Sequence, residues 1–198
     1  MLSISVSLPF DRLTTLINQT RLQQQHPWRK KHLKSIETNY RKAEHFDALY
    51  AFLEPLISMP SENLSELNIN IIRSIAERLG IQTKTYVASE LEGVHGESDE
   101  RLASICRQLG CDVYLSPIGA AEYIEKSSPG GAFLSDGISL YYQQFEHPVY
   151  QQLYGEFVSH LSVIDLLFNL GFAASAEIIR SSRRPRIDCL SYRRTIEN

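Results

Sequence analysis

Apolar residues recur at three- and four-residue intervals along several stretches of the chain, a spacing that predicts amphipathic helices. Asn63 is expected to cap one of these helices, with Glu66 as its capping-box partner. Glycines that follow three of the stretches are suited to the left-handed conformation that ends many helices. The predicted helices cover 28–45, 46–58, 64–79 before Gly80, 98–109 before Gly110, and 161–170 before Gly171.

Four strands are predicted, two from alternating apolar and polar residues and two from segments that follow the glycine at the end of a predicted helix. They cover 2–8, 82–88, 111–116 and 138–145. A Leu-Gly pair followed by a predicted strand occurs twice, and the repeat of helix, glycine and strand is typical of α/β proteins with parallel sheets. The predicted fold is therefore a single three-layer α/β domain, with a mostly parallel sheet flanked by helices.

Composition narrows the class of protein. The chain has 198 residues, of which 43% are hydrophobic and 22% charged, values typical of a soluble globular protein with one core. A net charge of −3 argues against a general nucleic-acid binder. No apolar run approaches the ~20 residues needed to span a bilayer, and the first residues lack the pattern of a secretory signal. The predicted location is the cytoplasm.

The C-terminal residues are strongly basic, since six arginines follow residue 179 against Asp188 and Glu197. We interpret 180–198 as a solvated tail beyond a domain of 1–179, the alternative being a docking surface for anionic lipid or nucleic acid. The cysteines are odd in number and lack paired metal-ligand spacing, which favours reduced thiols in the cytosol. Neither a metal nor a cofactor is expected. The cysteines are Cys106, Cys111 and Cys189.

Residues 145–171 hold the most unusual chemistry. His147 precedes Pro148 at the end of a predicted strand, and histidine suits acid-base work because it titrates near neutral pH. Asp165 and Asn169 lie one helical turn apart and therefore share a face. The alternative for both is a hydrogen bond to neighbouring backbone, since buried polar groups are nearly always satisfied.

Two other segments offer groups that bind anions. Lys31, His32 and Lys34 lie on a basic helix face that suits a sugar-nucleotide pyrophosphate, although a solvated face is an equal reading. The turn from Ser116 through Gly119 follows a predicted strand and precedes a helix, where ligands of α/β sheets tend to bind. This turn lacks the glycine spacing of a Walker loop or a dinucleotide fingerprint.

Three sequence blocks together resemble one known family. His-Pro-x-Tyr-x-Gln at 147–152 precedes Gly-x-Phe at 155–157 and Leu-Ser-x-Ile-Asp-Leu-Leu-Phe-Asn-x-Gly at 161–171, and two further blocks lie at 28–36 and 114–123. This combination resembles the WbqC-like family, bacterial proteins associated with surface-polysaccharide gene clusters. The resemblance runs from about Trp28 to Gly171. The family pattern has an earlier βα unit before the first strand, so the resemblance predicts an N-terminally shortened relative.

The resemblance implies a transferase of O-antigen or lipopolysaccharide biosynthesis, which attaches an amino acid such as glycine to a nucleotide-linked amino sugar. His147 would take a proton from the attacking amine, and Asp165 or Glu156 would orient it. His32 and its neighbouring lysines would hold the substrate. The alternatives are a non-catalytic sugar-nucleotide-binding or interaction protein, or an inactive truncated relative. The remaining substrate-binding candidates are Ser116, Gly119, Tyr123, Tyr150, Gln152 and Asn169.

Overall fold

The computed structural model describes residues 2–126 and 128–196, with mixed helix and strand. Its strands are β1 (Val6–Ser7), β2 (Arg21–Leu22), β3 (Val113–Pro117), β4 (Ser139–Gln143) and β5 (Ile187–Asp188). Its helices are α1 (Trp28–Tyr40), α2 (Phe46–Ser58), α3 (Leu64–Arg78), α4 (Ser98–Gln108), α5 (Ala121–Ile124), α6 (Gly131–Ser135), α7 (Val163–Ser181) and α8 (Cys189–Ile196).

The chain divides into two compact units, whereas the sequence predicts one domain over 1–179. The first unit consists of the residues up to Thr83 together with Pro148–Arg180, and the second of Lys84–His147 together with the residues from Ser181 onward. Two separate clusters of buried apolar residues account for the division, one within each unit.

The first unit is mainly helical. Its core includes Leu49 and Leu53 of α2 and Leu67 of α3, each at most 2% exposed. Asn63 caps α3 as predicted, because its Oδ1 accepts the N–H groups of Ser65 at 2.8 Å and Glu66 at 3.1 Å. The predicted capping box between Asn63 and Glu66 does not form, because the Glu66 carboxylate accepts the Ser61 hydroxyl at 2.7 Å instead.

A backbone hydrogen bond and a backbone dihedral angle explain where two helical segments of the first unit end. α1 ends at Tyr40 rather than at the predicted His45, since the N–H of Ala43 donates to the Tyr40 carbonyl, three residues before it, at 2.8 Å. Gly171 has φ +71° and breaks α7, so the predicted end of the first helical segment is confirmed and a second segment follows. A Cβ at this glycine would lie 3.0 Å from the His45 ring, and a larger residue would be crowded as well as strained.

The second unit holds the three-stranded sheet, in the order β3-β4-β5. β3 and β4 are parallel, and β4 and β5 are antiparallel. The α/β class is therefore observed, but the mostly parallel three-layer sheet is not confirmed. The segment Gln82–Ala88, predicted as a strand, forms none, and its residues up to Tyr86 are all exposed.

The basic C-terminal residues differ from the solvated tail that composition predicts. Ile187 pairs with Tyr142 of β4, and Cys189 is only 2% exposed in the second core. The Arg193 guanidinium donates to the Glu125 carbonyl at 3.2 Å. Apolar residues between the arginines therefore fix residues 187–196 onto the sheet. Among the residues that the structure describes, no helix combines the length and the hydrophobicity that crossing a bilayer requires.

Candidate functional site

Asp165, one of the predicted site residues, lies in the first turn of α7. Its carboxylate is buried, with the residue 6% exposed. Oδ1 accepts the Tyr40 hydroxyl at 2.9 Å, and Oδ2 accepts the Tyr150 hydroxyl at 2.8 Å and the Gln152 amide at 3.0 Å. The structure therefore brings together three residues of the predicted site, Asp165, Tyr150 and Gln152, and adds Tyr40. We call these four residues the Asp165 cluster.

Packing fixes the donors of the Asp165 cluster. The Tyr40 ring, at the end of α1, stacks on Phe168 with centroids 4.5 Å apart and an interplanar angle of 8°. Phe168 lies one turn beyond Asp165 on α7, so one helix holds both the acceptor and the ring that orients its donor. The Tyr150 ring meets Phe157 edge to face at 5.4 Å.

Gln152 ties the chain before α7 to the cluster. Its Nε2 also donates to the Val158 carbonyl at 3.0 Å, while its Oε1 accepts the Val158 N–H at 2.9 Å. The segment between residues 152 and 158 is thereby closed into a loop whose base is bonded to Asp165. A single buried carboxylate thus links α1, α7 and this loop.

Burial and charge keep the two phenols of the cluster protonated. Burial raises the pKa of Tyr40 strongly, and the hydrogen bond to the Asp165 carboxylate raises it further. Burial raises the pKa of Tyr150 to about 12, with Asp165 adding to the shift and Gln152 opposing it. Both hydroxyls are therefore donors to Asp165 at neutral pH.

A cavity of about 480 Å³ lies beside the cluster and shares Tyr40 with it. Ser35, Asn39, Tyr40 and Ser162 are the polar members of the lining, and the other four residues are aliphatic. A cavity that combines apolar surface with a few polar groups is typical of small-molecule sites. The lining residues are Leu2, Ser35, Ile36, Asn39, Tyr40, Leu161, Ser162 and Ile164. We call this space the Tyr40 cavity.

The other predicted residues of the first unit have separate partners. Asn169 donates to the Asp165 carbonyl at 2.7 Å, the backbone bond that the sequence left as its alternative. The His32 ring nitrogen Nε2 lies 3.0 Å from the Ser3 carbonyl, and Lys34 pairs with Glu37 at 2.9 Å. Within the described ranges, no hydrogen bond or ion pair joins these side chains to the Asp165 carboxylate. Lys31 and Glu156 are exposed.

Four predicted residues belong to the second unit. Ser116 is 1% exposed near the end of β3, and Gly119 lies in the 3₁₀ turn Ile118–Ala120 that follows. Tyr123 is 48% exposed on α5. His147 is half-buried at the end of the segment that follows β4. The role of each stays a prediction.

Sequence reasoning missed Tyr40 as a site residue. It lies on the apolar stripe of α1, where its spacing from Leu33 and Ile36 indicates a core residue. The available signal is chemical, because a buried tyrosine hydroxyl needs a partner whereas its aliphatic neighbours do not. Across the residues described, no group of three or more histidine, cysteine, aspartate or glutamate side chains is arranged to hold a metal ion.

Comparisons with known proteins give two matches. The model of the WbqC-like protein family matches residues 1–177. An uncharacterized protein of Mycobacterium tuberculosis, Rv1507c, is 32% identical over 161 residues, which cover 79% of this chain. The matched region spans 66% of the length of that relative, slightly less than two thirds. No solved structure matches the chain.

Proposed function

Since the chain belongs to the WbqC-like protein family, we propose that it is a transferase of bacterial surface-polysaccharide biosynthesis. Its substrate would be a nucleotide-linked amino sugar, and the sugar would occupy the Tyr40 cavity. The observation that carries this assignment is the position of the cavity. It is lined by Tyr40, whose hydroxyl is held by the buried Asp165 carboxylate.

The cavity lining supports a sugar as the ligand. Ser35, Asn39 and Ser162 supply groups that donate to and accept from sugar hydroxyls. Leu161 and Ile164 supply apolar surface for the C–H faces of a ring. Asp165 acts as a positioning residue in this proposal, because both of its oxygens already accept hydrogen bonds from protein groups.

The proposed reaction is the acylation of the sugar amine by an activated amino acid such as glycine. The amine nitrogen attacks the carbonyl carbon of an aminoacyl donor, and the N–C bond forms. The bond between that carbon and the leaving group then breaks, and the leaving group departs with its electron pair. On the sequence motif alone, His147 is the proposed base that takes the proton from the attacking nitrogen. The basic face of α1, with Lys31 and Lys34, would bind the phosphates of the nucleotide.

The test measures product formation directly. The purified chain is incubated with a nucleotide-linked amino sugar and an aminoacyl thioester, and mass spectrometry follows the aminoacylated sugar. We expect turnover that falls by about 10²-fold or more in His147→Ala. His26→Ala is the matched control, since this histidine is exposed and does not line the Tyr40 cavity. Turnover equal in wild type and His147→Ala would refute the role of His147, and absence of product with every donor would refute the transferase.

A second candidate is a binding protein of the same fold without catalytic activity. It is favoured by the Asp165 cluster, whose carboxylate is fully engaged by neutral protein donors and so serves structure rather than proton transfer. This candidate predicts that a nucleotide-linked amino sugar raises the unfolding temperature while no product forms. Binding and turnover, measured on the same preparation, separate the two functions.

A further inference from the structure

Cys106 and Cys111 lie on either side of the turn by which α4 leads into β3. Cys106 belongs to the last turn of α4 and is 5% exposed, whereas Cys111 is exposed. Gly110, just before Cys111, has φ +66°, the left-handed conformation that ends many helices. A buried thiol and an exposed thiol therefore flank a helix end.

Two backbone hydrogen bonds identify this helix end as a Schellman motif. The N–H of Cys111 donates to the Cys106 carbonyl at 2.8 Å, and the N–H of Gly110 donates to the Arg107 carbonyl at 3.0 Å. In this motif the first and last residues frequently make a side-chain contact. Cys106 and Cys111 occupy these two positions.

Covalent geometry limits how far apart the Cα atoms of the two cysteines can be. A carbonyl oxygen lies about 2.4 Å from the Cα of its own residue, and an amide nitrogen lies about 1.5 Å from its own Cα. Together with the 2.8 Å hydrogen bond, these lengths hold the Cα atoms of Cys106 and Cys111 within about 6.7 Å of each other. Disulfides usually span Cα separations of about 4.4–6.8 Å. The backbone therefore already holds the two residues close enough for a disulfide.

The two thiols also influence each other electrostatically. Burial raises the pKa of the Cys106 thiol, and the charge of the Cys111 thiolate raises it further. The Cys111 Sγ lies 3.9 Å from the Leu109 carbonyl oxygen, so this sulfur lies beside the end of α4. Side-chain position and charge thus agree with the proximity that the backbone imposes.

The third cysteine, Cys189, has other surroundings. Burial raises the pKa of its thiol, and the Glu125 and Asp188 carboxylates raise it further. A Cβ on Gly130 would lie 3.2 Å from the Cys189 Sγ, so this sulfur packs against that glycine. Cys111 is therefore the thiol that the local fold brings to Cys106.

We propose that Cys106 and Cys111 are a redox-responsive pair, which a peroxide converts to a disulfide and a thiol reductant restores. The exposed Cys111 is the thiol of the pair that dissolved hydrogen peroxide reaches first. Its thiolate attacks one peroxide oxygen, the O–O bond breaks, and hydroxide leaves with the electron pair. Cys111 is then a sulfenic acid.

Cys106 completes the oxidation. Its thiolate attacks the sulfenic sulfur of Cys111, the S–S bond forms, and the S–O bond breaks as a second hydroxide leaves. The two thiol protons neutralise the two hydroxides, so two thiols and one peroxide give one disulfide and two waters. The bond joins the last turn of α4 to the residues that enter β3. Because it involves neither the Asp165 cluster nor the Tyr40 cavity, the proposal is independent of the transferase.

Peptide mapping of the oxidised full chain tests the pair directly. Arg107 lies between the two cysteines, so trypsin separates peptide 102–107 from peptide 108–126, and each holds one cysteine of the pair. The folded chain is treated with hydrogen peroxide, the remaining thiols are alkylated after denaturation, and mass spectrometry follows the two peptides. A disulfide between them is seen as one joined species.

We expect the two peptides to be joined after peroxide treatment and separate again after dithiothreitol. Ellman's reagent should count one thiol in the denatured oxidised chain, instead of the three of the reduced chain. Cys189→Ala is the control and should give the same joined peptides. Cys106→Ala should instead leave Cys111 as a sulfenic acid, which dimedone traps. Circular dichroism shows that each variant is folded.

Four results on the wild-type chain would overturn the proposal, whatever the variants do. Two of them are a disulfide from either member of the pair to Cys189 and a covalent dimer through Cys111. The third is oxygen added to Cys111 while Cys106 stays a free thiol. The fourth is recovery of both peptides unlinked and unoxidised.

Discussion

Removal of the Asp165 carboxylate is the sharpest test of how the first unit is held together. Three donors converge on this buried group, from Tyr40, Tyr150 and Gln152. In Asp165→Ala all three lose an acceptor, although Gln152 keeps its bond to the Val158 carbonyl. Two hydroxyls are therefore left without this partner in a partly buried place, each at about 1–3 kcal/mol. We expect a loss of about 2–6 kcal/mol in the free energy of unfolding.

Asp165→Asn separates shape from charge. The amide keeps one acceptor oxygen, and its N–H groups can donate to a tyrosine hydroxyl, which also accepts. The remaining loss is the charge-assisted part of the hydrogen bonds, about 1–2 kcal/mol. The expected order of stability is wild type, then Asp165→Asn, then Asp165→Ala. Glu44→Ala removes an exposed carboxylate and is expected to change stability by about 0.5 kcal/mol or less.

The fluorescence of Trp28 is the appropriate probe during urea unfolding. It is the single tryptophan of the chain and is 4% exposed in the core of the first unit, so its signal reports the unfolding of that unit. Linear extrapolation gives the free energy of each variant. The reasoning would be refuted if Asp165→Ala lost no more stability than Glu44→Ala, or if the alanine and asparagine variants were equally destabilised.

Three further predictions concern single groups. An unfolded tyrosine ionises near pH 10 and folded Tyr150 near pH 12, so the unfolded state binds fewer protons between these values and the free energy of unfolding falls as pH rises from 10. In urea titrations at several pH values, Tyr150→Phe should show a shallower fall of this free energy with pH. The same dependence on pH in the variant and in wild type would contradict this. Glu125 is 6% exposed and accepts the Tyr142 hydroxyl at 2.6 Å. Glu125→Gln should lower the free energy of unfolding by about 1–3 kcal/mol, measured by urea unfolding followed with near-ultraviolet circular dichroism. A change within error would show that the pair contributes nothing. Cys111 is exposed while the other two thiols are buried with raised pKa values, so Ellman's reagent should modify one thiol rapidly in the native protein and three after denaturation; three rapid reactions would contradict the second core.

The helices were the most predictable part of the fold. α2 has the bounds that the sequence predicts, since Leu49, Leu53 and Ile57 recur every four residues and all three are buried. The strand predicted at 82–88 was wrong, because its position after a helix-ending glycine does not show whether one of its faces is buried. Whether another element covers that face depends on distant parts of the chain. Local pattern therefore predicted the elements better than the sheet that joins them.

The C-terminal residues show how composition can mislead. Six arginines dominate the charge after residue 179, but Ile187, Cys189 and Tyr192 are the residues that meet the second core. A few apolar side chains at suitable spacing were enough to order a strongly basic segment. Its cationic groups bind locally as well, since the Arg186 guanidinium lies 4.0 Å from the Tyr141 ring centroid.

The candidate site was predictable only in part. Asp165, Tyr150 and Gln152 lie within one motif of the sequence, and the structure shows them in contact. Tyr40 is 125 residues away from Asp165 along the chain, and no local pattern relates the two. Contacts between distant segments are set by tertiary packing rather than by periodicity.

The most direct test of the proposed function is whether a nucleotide-linked amino sugar binds in the Tyr40 cavity. Thermal unfolding followed by Trp28 fluorescence is measured with and without a panel of such sugars, for wild type, Ser162→Phe and Ser159→Phe. Ser162→Phe fills the cavity from an exposed position, and Ser159→Phe adds the same ring at an exposed site outside the lining. We predict that one sugar raises the transition of wild type and Ser159→Phe but not that of Ser162→Phe. A transition that no sugar moves, or a shift that survives in Ser162→Phe, would contradict the assignment.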